Sequence, residues 1–276
     1  MQLTRVYPAA EAVDGHCDRD SATQLSAGQG LMATLLKHTR RAMRQQTSRL
    51  RQAVVDHTPD WAKSAFGRPA AYAELMLSDH GVFRMLYLNR HKIAPDTWRS
   101  AQPAPGDIRK FAKDGVRTIV NLRGPRACSS YTLEQKECQR NGIRLVDFQV
   151  RSRAAPTVQE IKGAAALFER IEYPMVMHCK SGADRAGLMS TLFMHFREGQ
   201  PIATAKRQLS LRYGHIRQAE TGVLDYVFER YLADNARAPM PFLEWVETVY
   251  KPDEVKSSFR AKGWANRLVN SVLRRE

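Results

Sequence analysis

The sequence predicts an α/β protein in which a central, largely parallel sheet is flanked by helices, with helical extensions at both ends. Two observations predict this fold class. From Phe83 onward, short apolar runs alternate with helical patterns, which is typical of parallel strands covered on both faces. Basic, amphipathic segments lie outside this alternation, before and after it. We therefore expect an N-terminal extension over residues 1–80, a domain over 81–236 and a C-terminal helical extension over 237–276.

The elements of the domain follow from apolar runs and from helix start and stop signals. Gly115 and the pair Asn141-Gly142 end two helical patterns, and Thr157 with Glu160 can cap the start of another. Strands are predicted over 83–88, 116–122, 143–150 and 175–178. Helices are predicted over 107–113, 132–140, 159–172, 186–198, 202–211 and 222–233, followed by 242–250 and 255–273.

Both extensions carry strongly basic patterns. The first thirty residues are predicted to be disordered, whereas residues 37–51 form a helical pattern with six Lys or Arg side chains and no acid. The last helical pattern is accompanied by seven basic residues from Lys251 onward. Basic amphipathic helices can lie on an anionic membrane or pack on their own domain, and the sequence leaves both open.

The most informative motif is the loop between the predicted strand 175–178 and the following helix. His178 and Cys179 end the strand, and five residues separate Cys179 from Arg185, where the helix begins. Backbone N–H groups and the positive end of the helix dipole favour phosphate there, and they also favour a thiolate at Cys179. Arg185 can bind two phosphate oxygens at once. The loop therefore combines a phosphate site with a nucleophile.

The spacing alone does not define this chemistry, because Cys138 and Arg144 are separated in the same way. That pair follows a charged helical run, crosses Asn141-Gly142 and leads into a strand. No helix start faces Cys138, so we interpret it as an ordinary cysteine.

The loop resembles the phosphate loop of the cysteine-dependent protein tyrosine phosphatase superfamily, most closely its dual-specificity branch and bacterial members. The resemblance covers roughly residues 83–232, and segments 98–103 and 120–124 share it. It implies the protein tyrosine phosphatase fold and hydrolysis of phosphate monoesters through a phosphocysteine, without metal or cofactor. Cys179 would be the nucleophile and Arg185 the phosphate-binding cation. The phosphate-binding loop would comprise His178, Lys180, Ser181, Gly182, Ala183, Asp184 and Ala186.

Two carboxylates are candidates for the general acid that protonates the leaving oxygen. Asp147 ends the strand that precedes the motif, and its separation from Cys179 resembles that of the general acid in dual-specificity phosphatases. The carboxyl ends of parallel strands meet at one edge, so Asp147 is expected near the loop. Asp184 lies inside the loop, as an aspartate does in the myotubularin and Sac-type lipid phosphatases. We favour Asp147 and keep Asp184 as the alternative.

One position departs from the family pattern. The residue after the arginine is usually Ser or Thr, whose hydroxyl stabilises the thiolate released from the phosphocysteine, and here it is Ala186. We expect either a slow second step or replacement of that hydroxyl by Ser181. His178 is expected to hold the loop in place. A weakly active phosphoryl-binding module is therefore a second alternative function.

The net charge of the chain indicates what kind of partner it binds. With 43 Lys and Arg against 28 Asp and Glu, the formal net charge is +15, which predicts an anionic, phosphorylated substrate. Lys180 resembles the loop lysine of phosphoinositide 3-phosphatases, and Arg123, Arg151 and Arg153 are candidates for binding a second phosphate. The substrate is predicted to be a phosphoprotein or, alternatively, a lipid A phosphate, a phosphoinositide or phosphatidylglycerophosphate.

Several classes are disfavoured. A nucleic-acid partner rests on charge alone, because no recognition motif is present and aromatic residues do not interleave with the basic runs. No apolar run approaches the ~20 residues of a membrane-spanning helix, and the N-terminus lacks a secretory signal pattern. The four cysteines show no paired metal-ligand spacing. A nucleophilic cysteine must stay reduced, so we expect a cytoplasmic protein, with peripheral contact at the inner membrane face as an option.

Overall fold

The computed structural model describes residues 88–260 and contains a five-stranded sheet. The strand order is β1-β2-β5-β3-β4. β1 pairs antiparallel with β2, and every other pair of neighbours is parallel. The strands are β1 (His91–Ala94), β2 (Thr97–Ser100), β3 (Thr118–Asn121), β4 (Arg144–Asp147) and β5 (Met175–His178).

Helices follow most of the strands and continue after the last one. They are α1 (Pro105–Lys113), α2 (Ser129–Arg140), α3 (Val158–Arg170), α4 (Asp184–Phe196), α5 (Ile202–Ala205), α6 (Val223–Arg237) and α7 (Phe242–Thr248). Short 3₁₀ turns at Lys206–Gln208, Leu211–Tyr213 and Glu220–Gly222 connect α5 to α6. Residues 252–260 are again helical.

The predicted largely parallel sheet with flanking helices and C-terminal helices is confirmed, including strand β5 with its predicted bounds, whereas the predicted N-terminal extension lies outside the described residues. The capping prediction at Thr157 is also confirmed. Its hydroxyl accepts from the backbone N–H of Glu160, and the Glu160 carboxylate accepts from the backbone N–H of Thr157. The predicted helix 202–211 is wrong in its second half, where 3₁₀ turns replace it. The predicted strand 83–88 lies outside the described residues except for Leu88, which is irregular.

The hairpin β1–β2 was not predicted. Its strands are only four residues long, HKIA and TWRS, and they carry charged side chains that weaken an alternating pattern. Pairing of β2 with the buried strand β5 overrides this weak local signal. Arg99, which lies on β2 and is buried, was therefore not predicted as a site residue.

Two apolar clusters cover the two faces of the sheet. The smaller one joins α1 and α2 to the sheet through Ile108, Phe111, Ile119, Cys138 and Val176. The larger one joins α3, α4, α6 and α7 to the other face, and its buried members include Phe168, Leu192, Phe228 and Trp245. Burial of both faces is the condition under which parallel strands are stable.

The described part of the C-terminal extension packs on this larger cluster. Phe242, Val246 and Val255 are buried in it, and the hydroxyl of Tyr250 donates to the backbone carbonyl of Pro156 at 2.7 Å. The basic pattern at 37–51 and the end of the last helix lie outside the described residues. Within residues 88–260, no helix is both long and apolar enough to cross a membrane.

The parallel register brings four strand ends to one edge of the sheet. Ser100 and Asn121 flank His178 on either side, and Asn121 also pairs with Asp147. The segments that leave these four positions therefore start side by side, which is the usual place for a ligand site in an open parallel sheet.

Candidate active site

The loop that joins β5 to α4 begins at the buried Cys179 and reaches α4 at Asp184 and Arg185. Gly182 in this loop has a φ of +74°. A Cβ on Gly182 would lie 2.8 Å from the backbone nitrogen of Ala101 and from the carbonyl carbon of Ser100. Only glycine combines this conformation with so close an approach to the segment after β2. The sequence thus dictates a tight loop pressed against its neighbour.

Donors on the outside of the loop bind its carbonyl groups. The backbone N–H of Gln102 donates to the carbonyl of Lys180 at 3.3 Å, and the Asn89 side chain donates to that of Ser181 at 2.9 Å. Arg99 Nη2 donates to the carbonyls of Gly182 and Ala183 at 2.7 and 2.9 Å. In a planar trans peptide, the next N–H points away from the carbonyl. The N–H groups of residues 181, 182 and 184 therefore point toward the loop interior, where they can bind an anion, whereas the Ala183 N–H donates to the Ser181 hydroxyl at 3.4 Å.

Arg99 is the main external support of the loop. It is fully buried, and its guanidinium lies 4.0 Å from the centre of the Tyr213 ring. Nη1 donates to the backbone carbonyl and side-chain oxygen of Gln208. Burial lowers the pKa of Arg99 to about 10, although Tyr213, Cys179 and Asp184 oppose that shift. At neutral pH it remains charged, so it adds positive charge beneath the loop.

Cys179 and Arg185 are brought together by the loop. Burial lowers the pKa of Arg185, the Cys179 thiolate opposes that shift, and the neighbouring cations Arg123 and Arg126 reinforce it. Arg185 is half-buried, which leaves it accessible to a bound anion. The arrangement places a thiol at the start of a loop whose charged side chain and backbone donors can bind a phosphoryl group.

A buried polar chain holds His178 behind the nucleophile. Nε2 of His178 lies 2.6 Å from a carboxylate oxygen of Glu134, and both side chains are fully buried. The other oxygen of Glu134 accepts from the amide of Gln102 at 2.7 Å, and the Gln102 oxygen accepts from Arg123 at 2.7 Å. Such a chain fixes the end of β5 and ties it to α2 and to the segment after β3.

Asp184 lies beside a second buried histidine. His215 is 1% exposed, and its ring nitrogens lie 2.7 Å from Asp184 and 2.5 Å from Asp225. Burial alone would lower the pKa of His215, but its hydrogen bonds to the two carboxylates and their negative charges raise it to about 9. His215 is therefore protonated at neutral pH and donates to both carboxylates.

Asp147 is exposed at the carboxyl end of β4. One of its oxygens accepts from the Asn121 amide at 2.7 Å, and the other accepts from the Tyr131 hydroxyl. Burial and this bond to Asp147 raise the pKa of Tyr131, so the phenol stays protonated. Both donors are neutral, in contrast to the imidazolium beside Asp184.

The remaining predicted positions differ in their surroundings. Lys180 and Ser181 are exposed on the loop, whereas Ala186 is fully buried behind it. The hydroxyl of Ser181 lies 3.4 Å from the Ala183 nitrogen. The three candidate arginines all have acceptors: Arg123 binds Gln102, Arg151 lies 3.8 Å from Glu160, and Arg153 lies 3.4 Å from Glu220.

Five positions of this site were not assigned from the sequence: Asn89, Arg99, Gln102, Glu134 and Asp225. Of these, Arg99 and Gln102 fall in segment 98–103, whose residues resemble the dual-specificity branch. Among the described residues, no group of three or more His, Cys, Asp or Glu side chains could hold a metal ion.

Residues 89–222, just under half of the chain, match the family model described as "DSP-PTPase phosphatase fused to NAD+ Kinase". No curated protein matches the sequence. Among solved structures, P. aeruginosa TpbA is 14% identical, with 63% of this chain and 91% of TpbA covered and a TM-score of 0.41.

Two further solved structures are similar to a comparable degree. PTPMT1 is 18% identical, with 54% of this chain and 99% of that chain covered and a TM-score of 0.41. Human DUSP28 is 17% identical, with 52% and 95% covered and a TM-score of 0.40. By its match to the family model, the segment 89–222 is a DSP-PTPase phosphatase domain.

Proposed function

We propose that this protein hydrolyses phosphate monoesters through a phosphocysteine formed on Cys179. The observation that carries the proposal is the loop whose carbonyls are bound from outside by Asn89, Arg99 and Gln102. That arrangement leaves its N–H groups and Arg185 to bind the phosphoryl group. The same groups would stabilise the charge that develops on the equatorial oxygens.

In the first step, the Cys179 thiolate attacks phosphorus in line with the bond to the leaving oxygen. The sulfur–phosphorus bond forms while the phosphorus–oxygen bond breaks, and the leaving oxygen takes a proton from a general acid. The chemistry needs no metal, because Arg185, Arg99 and the loop N–H groups supply the positive charge.

We assign the general acid to Asp147 rather than to Asp184. One oxygen of Asp184 is already engaged by the charged ring of the buried His215, which Asp225 also binds. Asp147 accepts only from the neutral groups of Asn121 and Tyr131, and it is open to solvent. Through Asn121, Asp147 lies two strands from His178, a separation of roughly 10 Å between backbones.

In the second step, water attacks the phosphocysteine, and Asp147 takes its proton. The departing thiolate of Cys179 needs a stabilising donor, which Ala186 cannot supply. Ser181 offers a hydroxyl inside the loop and is the candidate replacement. If Ser181 does not serve, the phosphocysteine accumulates, and the protein would act largely as a phosphoryl-binding module.

The cations around the loop bear on the substrate class. Arg123 and Arg126 lie close enough to Arg185 to lower its pKa, and Arg126 and Lys180 are exposed. They favour a substrate with a second anionic group beside the phosphate that is cleaved. Arg151 and Arg153 would join them only by leaving Glu160 and Glu220. A phosphoprotein with acidic flanks is the first candidate, and a phosphorylated lipid or inositol headgroup is the second.

Phosphate release by the full chain and by Cys179→Ser tests the proposal. The panel holds phosphotyrosine and phosphoserine peptides, phosphoinositides, phosphatidylglycerophosphate and a lipid A phosphate. Phosphotyrosine is the ligand in one TpbA structure, which makes it a natural reference. Release that requires Cys179 supports the mechanism, and the preferred compound identifies the class. Equal release by both proteins would overturn it.

A further inference from the structure

The segment that connects α5 to α6 exposes aliphatic side chains to solvent. Leu211 is 77% exposed and Ile216 is 51% exposed, and both lie within residues 206–217, which we name the basic rim. The 3₁₀ turn Leu211–Tyr213 and the left-handed Gly214 make a reversal in which Leu211 stays outside while His215 turns inward. Two exposed aliphatic side chains within six residues form a place where apolar material can bind.

Positive charge surrounds these aliphatic side chains. An open groove of about 480 Å³ beside them is lined by Lys206, Arg207, Arg212 and Arg217. Lys206 and Arg217 both pair with Glu229, and the lining carboxylate of Asp225 already binds His215. Neither Arg207 nor Arg212 pairs with a carboxylate among residues 88–260, and both are exposed. The groove can therefore accept negative charge.

The basic rim is joined firmly to the phosphate loop. His215 binds Asp184, and Asn89 donates both to the Ser181 carbonyl in the loop and to the Tyr213 carbonyl in the rim, each at 2.9 Å. Arg99 likewise bridges the loop carbonyls and the Gln208 carbonyl. A surface that binds the rim would therefore hold the loop at a fixed distance and orientation.

We propose that the basic rim docks the protein on an anionic lipid bilayer. Arg207 and Arg212 bind headgroup phosphates in the groove, and Leu211 and Ile216 enter the interfacial acyl region. Adjacent aliphatic and arginine side chains suit the boundary between headgroups and acyl chains. A nucleic acid would gain nothing from two aliphatic side chains, since bases stack on aromatic ones. Docking does not require turnover and goes beyond the proposed hydrolysis.

Sedimentation of the full chain with vesicles tests the docking surface. The protein carries Cys179→Ser, so that no headgroup is consumed, and the vesicles contain phosphatidylcholine alone or an equimolar mixture with phosphatidylglycerol. We expect binding to the mixed vesicles only. Leu211→Ser with Ile216→Ser, and separately Arg207→Gln with Arg212→Gln, should each weaken it about tenfold or more.

Matched controls lie elsewhere on the surface. Val249→Ser removes an aliphatic side chain that is 45% exposed, and Arg170→Gln removes an exposed arginine from α3, so neither should alter vesicle binding. Rim variants that bind as tightly as the parent would overturn the proposal, as would equal binding to both vesicle types. A third outcome would also overturn it: the parent binds duplex DNA but no vesicles, and only the arginine variant loses DNA binding. The basic rim would then be a nucleic-acid surface.

Hydrolysis is measured separately so that the two proposals can fail independently. With Cys179 intact, the rim variants should hydrolyse the soluble substrate para-nitrophenyl phosphate at the parent rate, because the rim side chains that are changed do not contact the loop. Absence of any Cys179-dependent hydrolysis would refute the proposed function and leave the vesicle result unaffected.

Discussion

Cys179–Arg185 and Cys138–Arg144 have the same spacing and opposite surroundings. Cys179 and Cys138 are almost equally buried, at 2% and 1% exposure. Cys179 ends a parallel strand, faces the start of α4 and has Arg185 and Arg99 as charged neighbours. Cys138 lies in the last turns of α2, where burial and the carboxylates of Glu134 and Glu137 raise its pKa to about 12.

The difference shows that charge and backbone direction, rather than spacing, decide what a cysteine can do. Glu134 takes part in both regions. Its carboxylate opposes ionisation of Cys138, and it also binds His178 behind Cys179. Burial is the main reason that Cys138 stays a thiol, and Glu134 adds to it while its carboxylate also lies 2.6 Å from His178 next to Cys179. The following predictions test this contrast, from the largest expected effect to the smallest.

The most direct test compares the two thiols by alkylation. At pH 7, a pKa of about 12 leaves roughly one Cys138 in 10⁵ as thiolate. Native protein treated with iodoacetamide should therefore be labelled at Cys179 at least ~10³-fold faster than at Cys138, as read by peptide mass spectrometry. Inorganic phosphate should protect Cys179. Comparable labelling of both thiols in folded protein would remove the contrast.

The second test concerns the two aspartates. Asp147→Asn should lower kcat for a substrate with a poor leaving group by ~10²–10³-fold, because a general acid is lost. The loss should be much smaller for a substrate whose leaving group needs no protonation. Asp184→Asn is the matched variant, and its loss should be the same for both substrates. The reverse pattern would assign the acid to Asp184.

The third test varies the pH, because the loop at Cys179 depends on His215, whereas the region around Cys138 does not. The folded pKa of about 9 exceeds the ordinary value of 6.5, so the stabilisation is fully present below pH 6.5. It declines as pH rises and is lost above about 9, which amounts to about 3 kcal/mol in the free energy of unfolding. The free energy of unfolding, measured with urea, should fall more steeply with rising pH over that range in the parent than in His215→Gln. Plots of this free energy against pH that run parallel for the two proteins would contradict the assignment.

The fourth test weakens the support of the loop. Arg99→Lys keeps the charge but cannot donate to Gly182, Ala183 and Gln208 together, so kcat/KM should fall by roughly 10- to 100-fold. Arg109→Lys alters a half-exposed arginine that pairs with Glu137 near Cys138, and it should change little. An equal effect of the two variants would show that Arg99 acts only through overall stability.

The smallest expected effect concerns the second step. Ala186→Ser should restore a hydroxyl beside the departing thiolate and raise steady-state turnover by roughly tenfold. In rapid mixing with an aryl phosphate, the parent should release a burst equal to the enzyme, and the variant should reduce it. Ala164→Ser, at an equally buried helix position, is the control. A parent without a burst would show that breakdown of the phosphocysteine is not slow.

The elements that the sequence predicts well are those with strong local signals. Strand β5 is flanked by Pro174 and a glycine-containing loop, and α3 begins at the capping box of Thr157 and Glu160. The hairpin β1–β2 has no such signal, because its short strands form through pairing with β5. The strand-end position of Asp147 was also predictable, since parallel topology places strand ends together.

The sequence by itself determined the cysteine, the loop and the arginine that follows it, together with the parallel arrangement that carries them. These features depend on residues that are close along the chain. Only the tertiary structure decided what surrounds the loop: Arg99 lies 83 residues from the Gly182 carbonyl that it binds, and Asn89 lies 92 residues from Ser181. The physical reason is that periodicity and spacing are local, whereas burial of a charge and the direction of a carbonyl depend on which distant segments the sheet brings together.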